Sequence, residues 1–103
     1  MKKIDILLSA IIIAAVLTMH AFAADKFFIY VYDKDGKAVQ DASIEIWNGG
    51  DRIDKGFTDV EGKYPSWLDT DTKYRITAKK DDQSTEWNDF PNAKSHKIEL
   101  KFS

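Results

Sequence analysis

Beyond an apolar run at its start, the chain settles into short stretches in which apolar and polar residues alternate. Ala42, Ile44 and Ile46 interleave with Ser43, Glu45 and Trp47; Tyr74, Ile76 and Ala78 with Arg75, Thr77 and Lys79; and Ile98, Leu100 and Phe102 with Lys97, Glu99 and Lys101. A period of two is that of a strand with one buried face. "KFFIYVYD" is a further strand-forming run, rich in aromatic and β-branched residues and closed by "DKDGK", where Asp and Gly supply turn chemistry. Shorter strands are predicted over Arg52 to Phe57, Tyr64 to Leu68 and Ser84 to Trp87, bounded by "NGGD", "TDVEG" and "DTDT". Seven short strands with turns every eight to twelve residues, and no helical period after the opening run, predict an all-β protein built as a two-sheet sandwich.

The opening run predicts where that sandwich works. Lys2 and Lys3 precede apolar residues from Ile6 to Leu17, and Ala21-Phe22-Ala23 puts small residues at the two positions a signal peptidase accepts. Residues 1–23 therefore read as a helical secretory signal peptide, and residues 24–103 as the exported domain, periplasmic or extracellular. The alternative is an uncleaved anchor, because the 19 residues from Ile6 to Ala24 just match a hydrocarbon core of about 30 Å. His20 and the small residues near the end of the run suit cleavage better. A lipid-anchored terminus is excluded, since the chain has no cysteine.

Eighty residues then remain, enough for one domain and too few for two. Without cysteine this small domain has no disulfide staples, so packing must stabilise it, and 12 aromatic residues are available for that. Its 13 basic and 16 acidic side chains leave a net charge of −3. Bulk charge of that sign argues against binding nucleic acid or an anionic membrane.

Three segments, "VYDKDGKAVQDASIEI", "GFTDVEGKY" and "KYRITAKK", resemble the transthyretin-like β-sandwich modules, above all the carboxypeptidase regulatory-like domains. The positions that carry the resemblance are Val31, Asp33, Gly36, Val39, Ala42, Ile44, Ile46, Thr58, Asp59, Gly62, Tyr74 and Ile76. Ala38 stands where the pattern has proline and Asp41 where it has glycine, and "EWNDFPNAKS" has no counterpart in it. The resemblance implies a seven-stranded transthyretin-like (prealbumin-like, Ig-like) sandwich with the first strand between the fourth and the seventh.

The candidate chemistry is sparse. Asp33, Gly36, Thr58, Asp59 and Gly62 read as turn residues: the glycines where φ > 0 or close approach is needed, the others bonding nearby backbone amides. Calcium is the competing reading, but "DKDG" and "DTDT" lack the longer series of oxygen ligands that calcium needs. One histidine, His96, remains in the domain and no cysteine, so neither a cysteine dyad nor a multi-histidine zinc site can be assembled. A serine triad would need His96 as its base, and no serine elbow accompanies it. Similar proteins that hydrolyse 5-hydroxyisourate carry catalytic histidines and a Tyr-Arg-Gly-Ser ending, whereas this chain ends "LKFS"; the Lys to Asn or Asp weld of Cna B-type modules has no acceptor in "KIELKFS". No enzyme, metal or cofactor is expected. Surface recognition is left: with Ile29 and Val31 turned inward, Phe28, Tyr30 and Tyr32 form an outward row with Trp67 near it, and Trp47 is a separate candidate on the other sheet. The expected partner is a glycan or another envelope protein, the second case making the chain a subunit of a surface assembly.

Overall fold

The computed structural model describes residues 24–103; the signal peptide or anchor expected over residues 1–23 lies outside the described residues. Seven strands follow one another: β1 (Ala24–Tyr32), β2 (Ser43–Asn48), β3 (Asp51–Phe57), β4 (Lys63–Asp69), β5 (Tyr74–Lys80), β6 (Gln83–Asp89) and β7 (Lys97–Lys101). They form two sheets, one ordered β4-β1-β7 and the other β3-β2-β5-β6. All neighbours are antiparallel except β1 and β7, which run parallel. The first strand thus lies between the fourth and the seventh.

The alternation along each strand decides which face is buried. Phe27, Ile29 and Val31 of β1, Leu68 of β4, and Ile98, Leu100 and Phe102 at β7 meet Ala42, Ile44, Ile46, Tyr74, Ile76 and Ala78 of the second sheet, and all are buried. This single layer between the sheets is the core. Val39, Tyr64 and Trp87 pack against its margin. The pairing of β2 with β3 slips between Ile46 and Trp47, so that Ile53 has no partner and stands exposed; a bulge of this kind twists an edge strand.

The two D-x-x-G-K segments fold alike. In the first, Asp33 accepts a bond from Gly36 N and donates to Lys37 O, while its carboxylate accepts from the amides of Asp35 and Lys37 at 2.9 Å each. Asp59 makes the same four bonds with Gly62, Lys63 and Glu61. The amide of Lys37 holds the Asp33 carboxyl below its ordinary value, and that of Lys63 does the same for Asp59. Gly62 carries a second constraint: a Cβ there would lie 2.8 Å from the carbonyl oxygen of Val31, so only glycine lets the turn rest against β1. Buried Thr58 ties the other long connection. Its hydroxyl donates to Val39 O at 2.6 Å and accepts from Ala42 N at 2.9 Å, pinning the segment 39–42 that leads from β1 into β2.

One flank of the sandwich is closed by polar groups. The Asp54 carboxylate on β3 accepts from the Tyr64 hydroxyl and from the Ser66 hydroxyl, both on β4 and both at 2.8 Å. Gly56, two residues along β3, leaves the space the Tyr64 ring occupies; a Cβ would strike that ring. Burial, followed by the bond to Asp54, pushes the Tyr64 hydroxyl up to about 12.

Candidate functional site

The same alternation that buries Phe27, Ile29 and Val31 turns Lys26, Phe28, Tyr30 and Tyr32 to the outer face of the β4-β1-β7 sheet, where the three rings are half-buried. On one side β4 sets Trp67 opposite Lys26, Pro65 opposite Phe28 and Lys63 opposite Tyr30. On the other side β7 sets Lys97 opposite Phe28, Glu99 opposite Tyr30 and Lys101 opposite Tyr32. Trp67 is 66% exposed and diagonal to Phe28, so the structure brings four of the singled-out aromatic residues onto one surface.

The rings of this surface are ordered by one another and by lysines. Those of Tyr30 and Tyr32 lie within 6° of parallel at a centroid distance of 6.2 Å. Ammonium groups stand above the row: Lys26 at 5.5 Å and Lys63 at 5.2 Å from the Phe28 centroid, and Lys97 at 4.9 Å from that of Tyr30. Lys63 also pairs with Glu61 at 3.2 Å and Lys97 with Glu99 at 3.0 Å. The hydrogen bonds that the two ammonium groups donate to these glutamates raise both lysines above the ordinary ammonium value and keep them charged. Among the described residues Lys26 and Lys101 enter no ion pair. The lysine frame is the part that reading the aromatic residues alone misses. Its signal was present in the period-two spacing, which puts Lys26 in register with the rings and Lys97 and Lys101 on the outer face of β7.

Trp47 lies apart from this surface, on the outer face of the four-stranded sheet. The Arg75 guanidinium sits 5.0 Å from its ring, its indole N–H donates to Glu45 at 3.4 Å, and Glu45 pairs with Arg52 at 3.2 Å. The ring is half-buried within a charged lattice. Asp33, Gly36, Thr58, Asp59 and Gly62 occupy the turns and the inter-sheet connection described above, and do not contribute to the aromatic surface. His96 sits in the loop before β7 at φ 52°, with its ring 5.1 Å from Phe27 and its Nε2 3.8 Å from Asp25.

Opposite the Asp54 flank, the sandwich opens into a cleft of about 390 Å³ between β6, the loop after it and β7. Trp87 of β6, Ile98 of β7, and Phe90, Asn92 and Ser95 of the loop are among the residues that line it. Asn92 and Asp89 spend a side-chain oxygen each on the loop's own amides, at Lys94 and Phe90. Among the described residues no three His, Cys, Asp or Glu side chains converge as a metal site. No protein-family model matches this chain, and no curated protein matches it either.

Proposed function

We propose that the domain is an exported, non-enzymatic recognition module that binds an extended polysaccharide across the outer face of the β4-β1-β7 sheet. One observation carries this reading: Phe28, Tyr30, Tyr32 and Trp67 share a solvent-facing surface while the core is completed without them. Residues two apart on a strand lie about 6.6 Å apart, so the row is a rigid ladder of apolar faces over which a polymer can lie with little loss of protein freedom. The resemblance to carboxypeptidase regulatory-like modules accords with a sandwich that carries no catalytic machinery of its own. The leader expected over residues 1–23 accords with a ligand outside the cytoplasm. A second reading, a subunit of a surface assembly, is favoured by Trp67 projecting from an edge strand of the same sheet.

Electrophoresis of the purified protein through gels containing polysaccharide, paired with light scattering, tests both. Retarded migration is expected, with Tyr30→Ala and Trp67→Ala each weakening it about tenfold while the protein stays monomeric, a loss of about 1.4 kcal/mol apiece. If the same substitutions instead convert a dimer or larger particle to monomer, the assembly reading replaces this one. Retardation indifferent to both substitutions overturns the use of this face.

A further inference from the structure

We infer that the polymer taken by this face is acidic, a polysaccharide bearing carboxylate or sulfate groups that meet the lysines framing the aromatic row while sugar faces lie on the rings. This rests on the recognition function proposed above and narrows it to a ligand class. Lys26 and Lys63 stand over Phe28, and Lys97 stands over Tyr30. A neutral sugar stacking on those rings would push three ammonium groups aside and offer them nothing ionic in return. An acidic sugar supplies an anion to each displaced lysine as it uncovers the ring, and charge-assisted bonds of that kind are the stronger ones. Lys63 and Lys97 already hold Glu61 and Glu99, but those pairs are exposed, and exchanging an exposed pair costs little.

Lys26 and Lys101 sit near opposite ends of the row, in register with Trp67 and with Tyr32, and neither is in an ion pair among the described residues. The six steps from Lys26 to Tyr32 extend about 20 Å, the length of several sugar units. Counting Glu61, Glu99 and Asp69, the last turned outward at the end of β4, against the four lysines leaves this face at +1 on a domain of net charge −3, so the acidic excess lies on the rest of the surface. An anionic chain is therefore drawn to this face and repelled elsewhere. Stacked rings beside lysines also suit single-stranded nucleic acid. Only two lysines here lack a glutamate partner, however, and so short a basic track releases few counterions from a polynucleotide. Acidic sugar is the better match.

The test measures binding of the purified protein to immobilised polygalacturonate, alginate and heparin, to fully methyl-esterified polygalacturonate, and to single-stranded DNA. Retention on at least one acidic polysaccharide is expected, weakened at least tenfold by raising salt from about 50 to about 500 mM. If polygalacturonate is retained, its methyl ester, the same backbone without charge, should bind at least tenfold less. The double substitution Lys26→Gln and Lys101→Gln should weaken acidic-polymer binding by about tenfold and leave the unfolding midpoint in place. Equal retention of the acid and its ester, or salt-independent retention, would sink the charge inference while leaving the aromatic platform standing. Retention on no polysaccharide would remove the recognition function itself, and tighter binding to DNA than to every acidic polysaccharide would replace sugar by nucleic acid.

Discussion

Asp41 shows how one residue can be tolerated where another is wanted. Its φ is 61°, in the left-handed region that an L-residue adopts at a cost and glycine adopts freely. The bond from Asp41 N to Thr58 O at 2.9 Å holds the backbone in that conformation. Asp41→Gly should therefore stabilise the domain by about 0.5 to 1 kcal/mol, the relief of the left-handed conformation less the extra freedom glycine has when unfolded. Urea unfolding checks this; a midpoint that falls would mean the Asp41 carboxylate contributes something its geometry does not reveal. Gly62 is the opposite case, since its position is set by contact with Val31 and Val39 as well as by φ, and alanine there should destabilise.

At the scale of elements, most of the sandwich was legible in the sequence because period-two alternation is a local property. Ile44, Ile76, Ile98 and Leu100 announce their burial through neighbours that are charged or polar, and all are buried. What local pattern cannot carry is contact between strands distant in sequence. The Asp54 bridge to Tyr64 and Ser66, the space Gly56 leaves for the Tyr64 ring, and the slip at Ile46 each join or disturb two strands, and no alternation marks them. The lysine frame of the candidate site was half legible: β1 and β7 display it by spacing, but its apposition to the rings needs the β4-β1-β7 pairing.

The Asp54 bridge has a measurable signature between its two edge strands. Folding raises the Tyr64 hydroxyl from its ordinary value of 10.0 to about 12. A group raised in the folded state contributes stability that is intact below its unfolded value and is lost as pH rises toward its folded one. Wild-type stability should thus carry an extra decline between about pH 10 and about pH 12 that Tyr64→Phe lacks, on top of a loss of about 1 to 2 kcal/mol at neutral pH from the missing bond to a charged acceptor. Phenolate absorbance should show a late-titrating tyrosine in the wild type that Tyr64→Phe removes. Parallel alkaline limbs for the two proteins would show that the ring is not held by Asp54.

For the whole molecule, the decisive feature is that β1 serves two surfaces at once. Its even-numbered face carries Phe28, Tyr30 and Tyr32, while its odd-numbered face supplies Phe27, Ile29 and Val31 to the core. Because β1 is the central strand of its sheet, both surfaces are held by the same pairings to β4 and β7, and neither needs the other's side chains. Stability and recognition should therefore come apart under mutation. Ile29→Ala opens a cavity in a fully buried position and should cost about 2 to 5 kcal/mol, lowering binding only as far as it unfolds the protein. Tyr30→Ala with Tyr32→Ala removes a stacked pair and the ammonium contact of Lys97, cross-strand interactions of a few tenths to about 1 kcal/mol each, yet should abolish polysaccharide retention. Thermal unfolding and gel retardation measured on the same samples distinguish the two outcomes. A loss of stability in the tyrosine variant as large as that of Ile29→Ala would mean the outer rings belong to the fold, and the aromatic face could no longer be assigned to a ligand on the strength of its exposure.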